Sequence, residues 1–191
     1  MSAEPETRFG FAAVIGSPNA GKSTLVNALV GAKISIVTRK VQTTRFAVRG
    51  VAIEDKTQIC LVDTPGVFAP KNRLDKAMVR AAWSGADDAD CVVHVIDVGA
   101  RDRIEQGNGK PGDSLMVEDD DRVMEGLKLA NRQATLVLNK IDTIDSDHLL
   151  AMSKELYDTG IYSDVFMISA KKGFGVPLLK AHLASLMPEG A

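Results

Sequence analysis

The sequence predicts an α/β domain of three layers: a six-stranded, mostly parallel sheet, helices on both faces, and one antiparallel hairpin at the sheet edge. Three observations predict it. Short apolar runs alternate with helix-period segments along the chain, as in βαβ units. The first of these runs is apolar without alternation, as expected of a central strand covered on both faces. The polar turn Glu54-Asp55-Lys56 joins two strands directly, and so short a turn makes them antiparallel.

The elements follow in order. Residues 1–8 are polar and are expected to be a disordered end, with the domain running over 9–187. Phe9 to Ile15 is the first strand. Gly16-Ser17-Pro18-Asn19-Ala20-Gly21-Lys22-Ser23 matches G-x-x-x-x-G-K-[ST], and a helix from Ser23 to Val30 follows, ending near Gly31. Ala32 to Thr44 is irregular. Arg45 to Glu54 alternates as a strand, and Gln58 to Val62 is its partner. Asp63-Thr64-Pro65-Gly66 ends that strand, Val67 to Asn72 continues as loop, and Leu74 to Trp83 has helical spacing. Cys91 to Val95 is the next strand, closing at Ile96-Asp97. Residues 98–118, and Gly99 to Glu118 in particular, hold few apolar residues. Within them Gln106 to Ser114 contains three glycines and a proline, so a flexible insertion is expected there. A helix from Asp119 to Asn131 follows, its acidic start suiting the helix dipole better than a metal cluster. Thr135 to Leu138 is a strand, Ser146 to Asp158 a helix, Asp164 to Ile168 a strand and Val176 to Leu186 the last helix. Residues 188–191 form a tail.

With 191 residues the chain suits one domain with a real core, and its net charge of −2 lacks the basic footprint of a nucleic-acid-binding domain. Cys60 and Cys91 each sit alone in an apolar run, which fits buried free thiols in a reducing, cytoplasmic compartment. Met1 to Arg8 has no signal-peptide core, and no apolar run is long enough for an integral membrane segment.

The glycine-rich turn carries phosphate chemistry. Gly16 and Gly21 let backbone N–H groups face an anion, and Ala20 and Thr24 flank the set that would hold it. Lys22 can reach the outer phosphates, and the Ser23 hydroxyl can ligate Mg²⁺. Asp63-Thr64-Pro65-Gly66 has the D-x-x-G form, in which Asp63 holds Mg²⁺ through a water and the Gly66 N–H meets a γ-phosphate. Thr44, or its neighbour Thr43, is placed to ligate Mg²⁺ once a triphosphate is bound. Asn139-Lys140-Ile141-Asp142 selects the base. A carboxylate offers acceptors only, guanine presents two donors on one edge, and adenine would leave Asp142 unpaired. Asn139 and the Lys140 stem would position loop and ring. The Ser169-Ala170-Lys171 loop would add a backbone N–H to the guanine carbonyl. All of these follow strands, so they should converge on one face of the sheet. The ligand expected is a guanine nucleotide, GTP or GDP, with Lys22, Thr44 and Gly66 as the catalytic candidates. An ATPase is the alternative enzyme, and a GTP-dependent binding module the alternative class.

This set of motifs, with Lys33-Ile34-Ser35-Ile36-Val37-Thr38-Arg39-Lys40-Val41-Gln42-Thr43-Thr44-Arg45 and Asn72-Arg73-Leu74 before an alanine-rich helix, resembles the translation-factor class of P-loop GTPases. More narrowly it resembles Era-type GTPases of the TrmE-Era-EngA-type family, with Der and MnmE types as relatives. The resemblance covers nearly the whole chain. It implies a Ras-like P-loop GTPase fold and a nucleotide-controlled switch in small ribosomal subunit assembly. It also implies a KH-type RNA-binding domain after the GTPase domain. The chain stops near Pro188, so contact with ribosomal RNA would run mainly through a domain absent here. A monomer, and peripheral association with the inner membrane, are further implications.

Ras-like enzymes place a water-orienting glutamine where this chain has Val67, so slow intrinsic turnover is expected. In MnmE-like relatives an asparagine in this part of the loop helps bind K⁺, so the resemblance makes Asn19 a candidate and K⁺ a further candidate cation. Ala32 to Thr44 and Val67 to Asn72 are the segments expected to respond to the nucleotide.

Overall fold

The strand β1 (Arg8–Gly16) lies near the middle of a six-stranded sheet in the computed structural model, which describes residues 7–31, 47–63 and 89–190. The other described elements are α1 (Lys22–Val30), β2 (Ala47–Glu54), β3 (Thr57–Asp63), β4 (Cys91–Asp97), α2 (Val98–Glu105), α3 (Asp113–Leu129), β5 (Ala134–Asn139), a 3₁₀ turn (Ile141–Thr143), α4 (Ser146–Tyr157), β6 (Tyr162–Met167) and α5 (Val176–Ser185). The strand order is β2-β3-β1-β4-β5-β6. Every pairing is parallel except β2 with β3, as the short turn at Asp55 demands. The expected helix Leu74 to Trp83 lies outside the described residues, as do Thr43, Thr44, Gly66 and Val67.

The apolar run of β1 is explained by its two covered faces. Val14 joins Leu25, Val26 and Leu29 of α1 and Leu179 and Leu183 of α5 in one cluster. Ile15, its neighbour, joins Val123 and Leu127 of α3 and Leu149, Met152 and Leu156 of α4 in another. Successive strand residues point to opposite faces, so one strand serves two cores and the layers number three. After β1 the chain lays down β2 and β3 on one side of it and then crosses to β4 on the other. The carboxyl end of β1 is therefore a topological switch point, where ligands of such sheets bind.

The expected flexible insertion over 98–118 is corrected. α2 fills Val98–Glu105, and α3 begins at Asp113, six residues before the helix start read from the sequence. The Asp97 side chain caps α2 by accepting the Ala100 N–H at 3.1 Å. Arg103 then grips Asp113 through two hydrogen bonds of 2.8 and 3.0 Å, and the Lys110 N–H adds a third at 2.8 Å. The Arg103 hydrogen bonds, first, and the Lys110 N–H hold the Asp113 carboxyl down at about 2. The glycines and proline occupy only the connection between the two helices, and tertiary pairing of charged residues overrides the low apolar content around them.

The first and last described residues are also tied. Arg8, assigned to the disordered end, is the first residue of β1 and pairs with Thr57. The Phe9 N–H donates to the Pro188 carbonyl at 3.2 Å, and Arg8 pairs with Glu189 at 3.7 Å. Among the described residues no helix is long and apolar enough to cross a membrane.

Candidate functional site

Two backbone approaches force the glycines of the turn after β1. A Cβ on Gly16 would lie 2.5 Å from the Val95 carbonyl oxygen of β4. Gly21 sits at φ 97°, where a side chain is strained, and a Cβ there would collide with the Asn139 amide. Between them the Ala20 N–H donates to the Ser17 carbonyl at 3.0 Å, closing the turn. No side chain caps α1 at Gly21, and its first turn carries no acidic residue. The N–H groups and positive end of that helix are thus left for an anion.

Asn139 ties the turn to the rest of the site. Its amide donates to the Ala20 carbonyl at 2.9 Å and its carbonyl accepts the Ala170 N–H at 3.0 Å. One side chain, 2% exposed, therefore holds the phosphate loop after β1 and the Ser169-Ala170-Lys171 loop after β6. Lys140 follows in a left-handed conformation at φ 65°. Its ammonium donates to the Asn19 carbonyl at 3.1 Å and to Asp97 at 2.8 Å. Asp142 lies in the 3₁₀ turn and pairs with Lys172 at 3.4 Å, which joins the turn after β5 to the loop after β6. Ser169 is buried, and its hydroxyl accepts the Lys172 N–H at 3.3 Å.

Lys22, Ser23, Asp63 and Arg49 line a cavity of about 180 Å³ beside the phosphate loop. Burial, chiefly, lowers the Lys22 pKa; the Asp63 carboxylate opposes this and the Arg49 charge adds to it. Ser23 and Thr24 are exposed at the start of α1, and Asn19 and Lys171 are exposed on their loops. Asp63 makes an ion pair of 2.6 Å with Arg49.

Four residues have roles here that the sequence did not assign, where Asp119 and Asp120 are only part of an acidic helix start. Arg49 faces Asp63. Asp97 both caps α2 and holds Lys140. Asp119 accepts a hydrogen bond from the Ser17 hydroxyl at 3.2 Å, deep between α3 and the phosphate loop. Asp120, its neighbour, points the other way, to a buried His94 whose Nδ1 meets the Tyr162 hydroxyl at 2.8 Å. The acidic run expected to open this helix therefore lies in its middle, because α3 starts at Asp113, and the run is divided between two partners instead of facing the helix dipole. One signal was available: Asp97 closes an apolar strand at the same sheet end as Asp63 and Asn139.

The comparisons with known proteins agree with this geometry. A family described as 50S ribosome-binding GTPase matches residues 11–160. GTPase Era of Maricaulis maris is 70% identical over 190 residues, which is 100% of this chain and 60% of that protein. GTPase Era of Caulobacter vibrioides is 60% identical over 185 residues, 97% of this chain and 58% of that one. A solved structure of Era in complex with MgGDPNP and nucleotides 1506-1542 of 16S ribosomal RNA superposes with a TM-score of 0.66 at 32% identity, over 97% of this chain and 59% of that chain. The chain spans about 60% of the length of these two curated relatives. With its phosphate loop, its Asn139 tie and its sheet order, the chain belongs to the 50S ribosome-binding GTPase family, and its kinship within that family is with Era-type GTPases.

Proposed function

We propose that the chain binds GTP and GDP and hydrolyses GTP to GDP and phosphate, as the nucleotide-controlled switch of a protein of small ribosomal subunit assembly. The observation that carries the nucleotide reading is the pair of Asn139 hydrogen bonds, to Ala20 and to Ala170. They fix the phosphate-binding turn against the base-side loops, so phosphate and base recognition act as one site. Asp142 reads the two donors of guanine, and the loop carrying Ala170 supplies an N–H toward its carbonyl. Lys22 and the α1 N-terminus stabilise charge on the phosphates. Anionic phosphates beside Lys22 offset the burial that lowers its pKa and keep it protonated.

The cavity suits Mg²⁺, because a hydroxyl and a carboxylate, both hard oxygen donors, line it together at Ser23 and Asp63. Ser23, Thr43 or Thr44, and Asp63 through a water would hold the ion. When bound, it supplies positive charge to the phosphates. With Val67 after Asp-Thr-Pro-Gly, no glutamine orients the attacking water and turnover is slow. K⁺ beside Asn19 is the cation we propose to compensate. The Asn19 backbone is held in the loop through its carbonyl by Lys140, and the residue is exposed. Hydrolysis rates equal in KCl and NaCl would remove that role.

The ribosomal setting is drawn from relatives. The Era structure holds 16S ribosomal RNA, which belongs to the small subunit, whereas the family description names the 50S ribosome. We follow the nearer relative. The net charge of −2 fits RNA contact mainly outside this domain, and a KH-type domain for that contact is what the resemblance to Era implies. A monomeric, cytoplasmic protein with peripheral association at the inner membrane completes the reading. Single-turnover assays with GTP and Mg²⁺ test the activity, and nucleotide competition tests the base. Slow phosphate release, and displacement of labelled GDP by GTP but not ATP, are expected. Equal displacement by ATP would overturn the base assignment, and bound GTP that is never hydrolysed would reduce the chain to a binding module.

A further inference from the structure

Arg49 is placed by a break in the sheet. In β2, Val48 pairs with Val62 and Gly50 with Leu61, so Arg49 is the extra residue of a bulge. Bulges at sheet edges re-aim the side chain of the inserted residue. The site of this one is pinned by Gly50, where a Cβ would lie 2.8 Å from a methyl of Val30 at the end of α1. The guanidinium that results reaches Asp63 at 2.6 Å and lines the cavity with Lys22 and Ser23. Its charge also reaches Lys22: burial lowers that pKa most, Asp63 opposes, and Arg49 lowers it further.

We propose that Arg49 is a resident cation of the phosphate site, competing with the divalent metal for the Asp63 carboxylate while attracting the nucleotide's phosphates directly. The inference rests on the nucleotide reading of the same cavity. A carboxylate oxygen that accepts a guanidinium N–H at 2.6 Å is less available to a metal-bound water. A positive charge in the cavity repels a second cation and favours an anion. Arg49 therefore acts in two opposite senses: it weakens the hold on Mg²⁺ and strengthens the hold on a nucleoside diphosphate without metal. Its side chain is about half exposed, so water screens both effects.

The test uses Arg49→Gln, with Arg49→Lys as the charge-preserving control, each first checked for an unchanged thermal melt. GDP affinity is measured in excess chelator, and the Mg²⁺ concentration for half-saturation is then measured on the GDP complex. For Arg49→Gln, GDP binding without metal should weaken about two- to fivefold, the range of a screened ion pair, and the Mg²⁺ half-saturation concentration should fall by a similar factor. Both changes should shrink at high ionic strength, and Arg49→Lys should retain most of the parent behaviour. Both affinities weakening together would mean a merely structural arginine and overturn the proposal, as would no change in either. Failure of the unsubstituted protein to bind GDP at all would overturn the nucleotide reading instead.

Discussion

The Ser17 hydroxyl donates a hydrogen bond to the Asp119 carboxylate at 3.2 Å, joining the phosphate loop to the middle of α3. Both side chains are buried, so neither has bulk water as a substitute partner. Asp119→Ala should cost about 1–3 kcal/mol in urea unfolding, the usual penalty for a buried donor left unpaired. Ser17→Ala should cost a similar amount. The double substitution should cost about 0.5–1.5 kcal/mol less than the sum, because the second change removes a group already orphaned. Strict additivity would show that the bond carries no coupling.

Asn139 is the second test. Asn139→Ala removes partners from the Ala20 carbonyl and the Ala170 N–H at once. Two buried backbone groups left unsatisfied should cost about 2–4 kcal/mol of stability. GDP affinity, measured by titration calorimetry below the new unfolding range, should also fall by at least about tenfold, because both loops lose their common anchor. A variant with parent stability and parent affinity would remove Asn139 from the site.

Base selectivity should invert at Asp142. Asp142→Asn replaces an acceptor by an amide donor, which suits the second carbonyl of xanthine in place of the guanine amine. GTP affinity should drop by about 10²-fold or more while xanthosine triphosphate gains. The Lys172 ion pair is also lost, but at 3.4 Å and partly exposed it should contribute little to either number. Undiminished GTP binding would assign base reading elsewhere.

Alkaline stability should report the two thiols. Burial pushes Cys60 up to about 11 and, with help from the Asp90 charge, Cys91 up to about 12, from an ordinary value of 9.0. Between those limits the folded chain keeps protons that the unfolded chain releases. Stability is therefore unaffected by these groups below pH 9 and falls as pH rises toward 11 to 12. Urea midpoints over that range should fall less in a Cys60→Ala, Cys91→Ala variant. At pH 8 thiol reagents should react only on unfolding, and rapid modification of native protein would contradict the burial of both residues.

Much of the fold and the site was legible because local rules agreed with the final structure. The parallel strands announced themselves by unbroken apolar runs, and each side of β1 found its own core. The antiparallel edge followed from a turn too short for any crossover. The phosphate loop was legible because its glycines answer to backbone geometry that no other residue tolerates. The segment 98–118 was misread for the opposite reason. Its helices depend on a cap from Asp97 and a grip between Arg103 and Asp113, and composition does not record which charged residues will meet.

The sequence by itself determined the layered α/β order, the glycines of the turn and the candidate residues for a guanine nucleotide, since each follows from periodicity, backbone sterics or the donor pattern of a side chain. Only the tertiary structure decided which partners those residues have. Asn139 as the tie between two loops, Asp97 under Lys140 and Asp119 beneath Ser17 are contacts between elements far apart in the chain, and Arg49 on Asp63 is set by the bulge that re-aims one strand of a hairpin. Such contacts are set by packing of the sheet and its helices, which brings polar groups together after the apolar pattern has placed their elements.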